Sequence, residues 1–141
     1  MYNFVWSTVL SFPVTKIKLI LRKINQEKPD IIGFQEVLPH VAKWLKENLN
    51  EYYVIGCGRG ANLRDEQMSI AYRRDRINLI SMKTWWLSQT PDVPGSRYEE
   101  QSSCPRTATE AVFEDIKSGK VFRFINTHLD HIGAQAREKG L

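Results

Sequence analysis

Two segments concentrate the groups that could do chemistry. Asp30–Val37 (DIIGFQEV) and Val121–Leu129 (VFRFINTHL) both read as extended apolar runs that turn ionisable at their ends. Side chains alternate between two faces along a strand. Ile32, Phe34 and Glu36 are therefore expected on one face of the first segment, and Phe122, Phe124, Asn126 and His128 on one face of the second. An apolar face that ends in a carboxylate or an imidazole puts its polar end at the rim of a core, where open sheets tend to place ligand crevices. A carboxylate and an imidazole meeting there could form an acid–base pair. Alternatively, the carboxylate could hold a hard, oxygen-seeking cation such as magnesium. A solvated rim glutamate and a surface histidine would leave the same trace, so spacing alone does not choose between these readings. The run Asn126-Thr-His-Leu-Asp-His131 is nonetheless denser in polar chemistry than a turn requires.

The rest of the chain supplies elements to position these groups. Ile17, Ile20, Leu21 and Ile24 recur at spacings of three and four, which predicts an amphipathic helix over Lys16–Gln26, stopped by Pro29. Pro39–Leu49 reads as a second helix with Val41, Trp44, Leu45 and Leu49 on one face. Tyr52–Gly56 predicts a strand ending in the Gly-rich loop Gly56-Cys-Gly-Arg-Gly60. The remainder is strand-rich: Met68–Arg73, Ile77–Leu87, Thr107–Asp115 and Val121–Leu129, the last two joined by the tight turn Lys117-Ser-Gly-Lys120. Gln89–Pro105, with Pro91, Pro94, Gly95 and Pro105, reads as a long loop. Helices near the start and strands after them predict an α/β sandwich.

At 141 residues the chain suits one domain, and its 42% hydrophobic and 26% charged residues are ordinary for a globular protein. No apolar run reaches the ~20 residues needed to cross a bilayer. The first fourteen residues lack the basic start and small-residue cleavage site of a signal peptide and are read as core or edge structure. Cys57 and Cys104 are too few for a disulfide framework, so two reduced thiols and a cytoplasmic location are expected. The net charge of +4 favours phosphate-bearing partners only weakly. Its one cluster, Arg73-Arg74-Asp75-Arg76, is interrupted by an acid and reads as a solvated turn.

Four ordered segments carry a resemblance: Pro29-Asp-Ile-Ile-Gly-Phe-Gln-Glu-Val37, Trp86-Leu-Ser-Gln-Thr-Pro-Asp-Val-Pro-Gly-Ser96, Pro105-Arg-Thr107 and Asn126-Thr-His-Leu-Asp-His131. Together they resemble the endonuclease/exonuclease/phosphatase family, from about residue 14 to the end of the chain. The resemblance implies a layered α/β-sandwich of the deoxyribonuclease-like type and hydrolysis of a phosphate ester with Mg²⁺ or Mn²⁺. Glu36 would bind the cation, which polarises the phosphoryl oxygen. His128 would hydrogen-bond the scissile phosphate or assist the leaving oxygen. Arg106 and Arg137 are candidate phosphate-facing cations, because a guanidinium engages two oxygens at once, with a surface salt bridge as the alternative for each, and Asn126 is grouped with them as substrate-binding. Asn3 stands 33 residues before Glu36 and is the candidate for the asparagine the family keeps beside its metal; a competing alignment places Trp6 in the loop after that strand. Asp130 and His131 support the site.

The family's Gly-Asp-Phe-Asn and Ser-Asp-His type motifs do not occur in these 141 residues. The expectation is one partial domain over 1–141, roughly the first half of a family fold. An inactive remnant that binds metal or a partner is the alternative to an enzyme. Exposed sheet faces would then favour a homodimer. Glu110 stands where one bacterial branch has a large aromatic, which alters the expected substrate wall. No interleaved basic and aromatic pattern indicates a nucleic acid, although the family includes nucleases.

Overall fold

The computed structural model describes residues 4–7, 14–131 and 133–139. Three layers stack in the order helices, sheet, sheet. Strands β1 (Phe4–Ser7), β2 (Ile31–Val37), β3 (Tyr52–Ile55) and β4 (Gln67–Arg73) form a mixed sheet of order β1-β2-β4-β3, in which only β1 and β2 run parallel. Strands β5 (Ile77–Trp86), β6 (Thr107–Asp115) and β7 (Val121–Thr127) form an antiparallel sheet in that order. Helices α1 (Val14–Glu27) and α2 (Pro39–Asn48) cover the outer face of the first sheet, and a short α3 (Ala134–Lys139) closes the chain.

The predicted periodicities explain the layers. In α1, Ile17 and Ile24 are buried, and Ile20 and Leu21 pack beside them. In α2 the stripe is Val41, Ala42 and Leu45. These side chains meet Ile32, Phe34, Val54 and Ala71 of the first sheet. Helix α1 stops where Lys28 turns to φ 44, just before Pro29, whose carbonyl accepts the Tyr52 hydroxyl at 2.7 Å. Helix α2 starts at Pro39, where the missing N–H costs no helical bond.

The opposite face of the first sheet packs on the second through Ile31, Ile70, Tyr72, Ile77, Ala111 and Phe113. Burying each large apolar side chain here contributes roughly 1.5–3 kcal/mol. Phe122 and Phe124 of β7 pack against the same layer, and Val121, Arg123 and Ile125 face outward between them.

Element boundaries fall within two or three residues of expectation. β7 ends at Thr127, which places His128 just beyond the strand. The basic cluster is a structural turn at the far end of the sheet. Arg73 pairs with Asp75 at 2.7 Å, Arg74 lies 4.2 Å over the Tyr53 ring, and Arg76 faces Asp30. Cys57 and Cys104 are free thiols. Among the described residues, no helix is long and apolar enough to cross a membrane.

Candidate active site

The topology gathers the chemistry at one rim. The C-terminal end of β2, the loop entering β4, the long loop 87–106 and the segment after β7 all emerge there. Cross-links tie them together: Trp86 Nε1 donates to Arg59 O at 2.7 Å, and Gln35 Nε2 donates to Thr127 O at 2.8 Å. The Gly-rich loop is braced on itself by Gly58 N to Leu63 O and Gly60 N to Arg64 O. A Cβ on Gly58 would sit 2.2 Å from Arg64 O, so this tight crossing admits only glycine.

Glu36 and His128 meet at this rim, with Nδ1 of His128 3.2 Å from Oε1 of Glu36. The nitrogen lies off the line of a formed hydrogen bond and has no hydrogen-bond partner among the described residues. Loose alignment of this kind is common when catalytic groups await their ligand. The two side chains are 23% and 29% exposed, Glu36 and His128 respectively, open enough for a ligand to reach both.

The route by which Glu36 arrives corrects the alternation argument. Ile32 and Phe34 do share a face, but that face packs on the helices. Strict alternation would have sent Glu36 there too. Instead the β2–β4 register shifts between Phe34 and Val37, where one extra residue enters β2, and Glu36 adopts φ 54. That left-handed conformation costs about 1–2 kcal/mol for a residue with a Cβ, and such strain gathers at functional sites. The bulge swings Glu36 toward the second sheet and His128.

The other candidates take varied positions. Arg106 is 5% exposed; its Nε lies 3.4 Å from Asp130 Oδ1 and its Nη2 2.8 Å from His131 Nδ1. Because arginine only donates, His131 Nδ1 must accept and its proton sits on Nε2. Asp130 also accepts from the Ser102 hydroxyl and from Gly133 N at 2.7 Å. Arg137 Nη1 donates to Asp130 O at 3.2 Å. Both arginines thus contact the loop after β7 at the rim. Asn126 was expected to touch substrate, but it is 0% exposed between the sheets and its amide nitrogen donates to Phe34 O and Ser69 O. It is not in position to meet a ligand. Asn3 lies outside the described residues; in β1 it is the Ser7 end that points toward Glu36, with Ser7 opposite Phe34. Glu110 pairs with Arg123 on the outer face of the second sheet, at 3.6 Å.

Sequence reasoning missed Gln35 and Ser102, and nothing in their spacing marks them. It also passed over Arg59, 7% exposed and paired with Glu66 at 3.0 Å. A cationic residue inside a Gly-rich loop was the available signal.

Among the described residues no group of three His, Cys, Asp or Glu side chains is placed to hold a metal. A single carboxylate still suits Mg²⁺, which keeps several waters and takes further ligands from substrate phosphates. The residues therefore fit a cation held by Glu36.

No family model matches the sequence. An endonuclease/exonuclease/phosphatase from Bacteroides vulgatus superposes with a TM-score of 0.92 at 30% identity, over 99% of this chain and 56% of that one. A mannosyl-6-phosphatase from Bacteroides thetaiotaomicron superposes at 0.88 with 30% identity, over 99% and 56%. An uncharacterised protein of Acanthamoeba polyphaga mimivirus is 30% identical over 118 residues, 79% of this chain and 44% of that protein. The chain spans about half the length of these relatives. Over nearly all of its length this chain has the fold of solved endonuclease/exonuclease/phosphatase proteins and resembles that family.

Proposed function

We propose that this chain carries part of the active site of a phosphoester hydrolase dependent on Mg²⁺ or Mn²⁺. The observation that carries the proposal is the 3.2 Å approach of the Glu36 carboxylate to the His128 imidazole, built by a strained bulge. Glu36 would hold the cation through the carboxylate oxygen turned away from His128. A bound divalent cation supplies charge stabilisation to the phosphoryl oxygens and the leaving group. His128 Nδ1 faces Glu36, which leaves Nε2 to engage a phosphate oxygen or the leaving oxygen. Arg106 and Asp130 fix the loop after β7, so the imidazole is presented by a rigid segment. His131 offers an Nε2–H donor from the same loop.

Phosphate esters are the substrate class, and the similarity to a mannosyl-6-phosphatase puts sugar monophosphates first for trial. A cytoplasmic setting accords with the two free thiols. A second reading, a module that binds a cation or a partner without turnover, is favoured by Arg106 being engaged with Asp130 and His131.

Isothermal titration calorimetry with Mn²⁺ tests the shared premise, and a screen of mono- and diesters with the complete protein tests turnover. Wild type should bind Mn²⁺ and Glu36→Gln should not. Absence of Mn²⁺ binding by wild type, or full activity of a complete protein carrying Glu36→Gln, would defeat the proposal.

A further inference from the structure

The bulge that aims Glu36 needs something to hold it, and one side chain from the other sheet is placed to do so. Phe34 and Ser69 are the last regular pair of the β2–β4 ladder before the register shifts. Asn126, reaching across from β7, donates both amide hydrogens to the carbonyls of that pair, to Phe34 O at 2.8 Å and to Ser69 O at 2.9 Å. The amide orientation is unambiguous. Flipped, its oxygen would face two carbonyl oxygens in a site with no water access.

The sequence opposite makes room for this reach. Gly33 lies under the Asn126 amide, and a Cβ there would come within 3.1 Å of Oδ1. Oδ1 itself has no hydrogen-bond partner among the described residues, and neither do the buried Thr107 and Thr109 hydroxyls. A fully buried amide that leaves its own acceptor unmet has not been placed for its own satisfaction, since burying an unmet polar atom is costly. What the arrangement achieves is a tie between the end of β7, two residues before His128, and the backbone two residues before Glu36. A second tie, Gln35 Nε2 to Thr127 O, runs parallel to it.

The geometry points to Asn126 as a positioning residue: it clamps the Phe34–Val37 bulge to the second sheet, keeps Glu36 in its left-handed conformation, and sets the Glu36–His128 spacing. This deepens the proposed function and rests on it only for the meaning of Glu36, not for the clamp. Asn126 touches neither substrate nor cation. Its action is comparable to that of groups behind a metal ligand, whose loss typically weakens affinity by about 10–100-fold.

Three variants of the 141-residue chain test this. Asn126→Ala removes the donors. Gly33→Ala presses on the amide from the other side without touching it chemically. Thr109→Val, at the register partner of Asn126, perturbs the same inter-sheet layer with no bond to the bulge. Each is read by nuclear magnetic resonance at the Glu36 and Val37 amides, by the nuclear Overhauser contact between His128 and Glu36, and by Mn²⁺ titration. The expected result is that Asn126→Ala moves Glu36 out of the left-handed region, loses the His128 contact and weakens Mn²⁺ by ~10–100-fold. Gly33→Ala should shift the same signals less, and Thr109→Val should leave them in place. Failure of Asn126→Ala to fold leaves Gly33→Ala to decide. Glu36 signals unchanged in whichever of these two is folded, or shifted equally by Thr109→Val, would overturn the clamp. If wild type binds no Mn²⁺, the hydrolase reading fails while the Glu36 signals still decide on Asn126.

Discussion

Replacing Arg106 by Met should be among the most destabilising single changes in this chain. Arg106 and Asp130 stand 24 residues apart in sequence, and their side chains are 6% and 1% exposed. Asp130 keeps two other donors, the Ser102 hydroxyl and Gly133 N. Neither carries charge, so Arg106→Met takes away the guanidinium that contacts this buried carboxylate. Two unit charges about 4 Å apart attract by ~4 kcal/mol at an effective dielectric of about 20. Breaking a buried pair from one side costs about 3–5 kcal/mol. Asp130→Asn should cost a similar amount, by stranding the guanidinium against His131. The double variant should cost less than the sum of the two, with a coupling of about 2 kcal/mol or more. Urea unfolding measures this directly. With slopes of ~1–3 kcal/mol per molar for small proteins, the midpoint of Arg106→Met should fall by more than about 1 M. A loss under about 1 kcal/mol, or strict additivity of the two single changes, would show that the pair is solvated and the rim loop held by other means.

Other outcomes follow from the same geometry. In the complete protein, His128→Ala is expected to lower kcat by about 10²–10⁴-fold, measured on a sugar monophosphate with Mg²⁺; an unchanged kcat would remove His128 from the chemistry. Burial pushes the Tyr52 hydroxyl up to about 12. The unfolded chain ionises near ~10, so below that pH the contribution is complete, and stability is lost as pH rises from there toward the folded value. Tyr52→Phe should flatten that alkaline loss in urea titrations at a series of pH values, and an identical slope in both proteins would refute it. Gly33→Ala should destabilise by about 1–3 kcal/mol through overpacking against Asn126, with thermal unfolding as the check. Val121 and Ile125 are 60% and 50% exposed on the outer face of β7. Size-exclusion chromatography is therefore expected to show a species larger than the 16.4 kDa monomer, and a sharp, stable monomer peak would contradict pairing through that face.

Much of the framework is written locally. The three- and four-residue spacing of Ile17, Ile20, Leu21 and Ile24 is a property of one helix, and so the sequence carries it. The same holds for the alternation of β6, whose bounds Thr107–Asp115 match expectation, and for the turn after it. Glu36 and His128 could be singled out as ionisable groups closing two apolar runs, but spacing did not tell a site from a solvated rim, and their expected roles came from the resemblance.

What the sequence could not carry was anything that depends on two segments meeting. Alternation put Glu36 on the face of Ile32 and Phe34, and a single extra residue in β2 reversed it. Nothing in Phe-Gln-Glu-Val announces a bulge, since its position is set by pairing with β4. Asn126 read as a rim group because it lies two residues before His128, yet the second sheet folds it inward onto carbonyls 92 and 57 residues away. Arg106 read as a phosphate-facing cation or a surface salt bridge, and the buried pairing with Asp130 could not be seen because that carboxylate lies on another loop. Chain-local periodicity indicates which element a residue joins, and which way it points wherever the ladder stays regular. Which group it finally faces is decided only when the layers close, because burial drives most polar atoms to find partners across them.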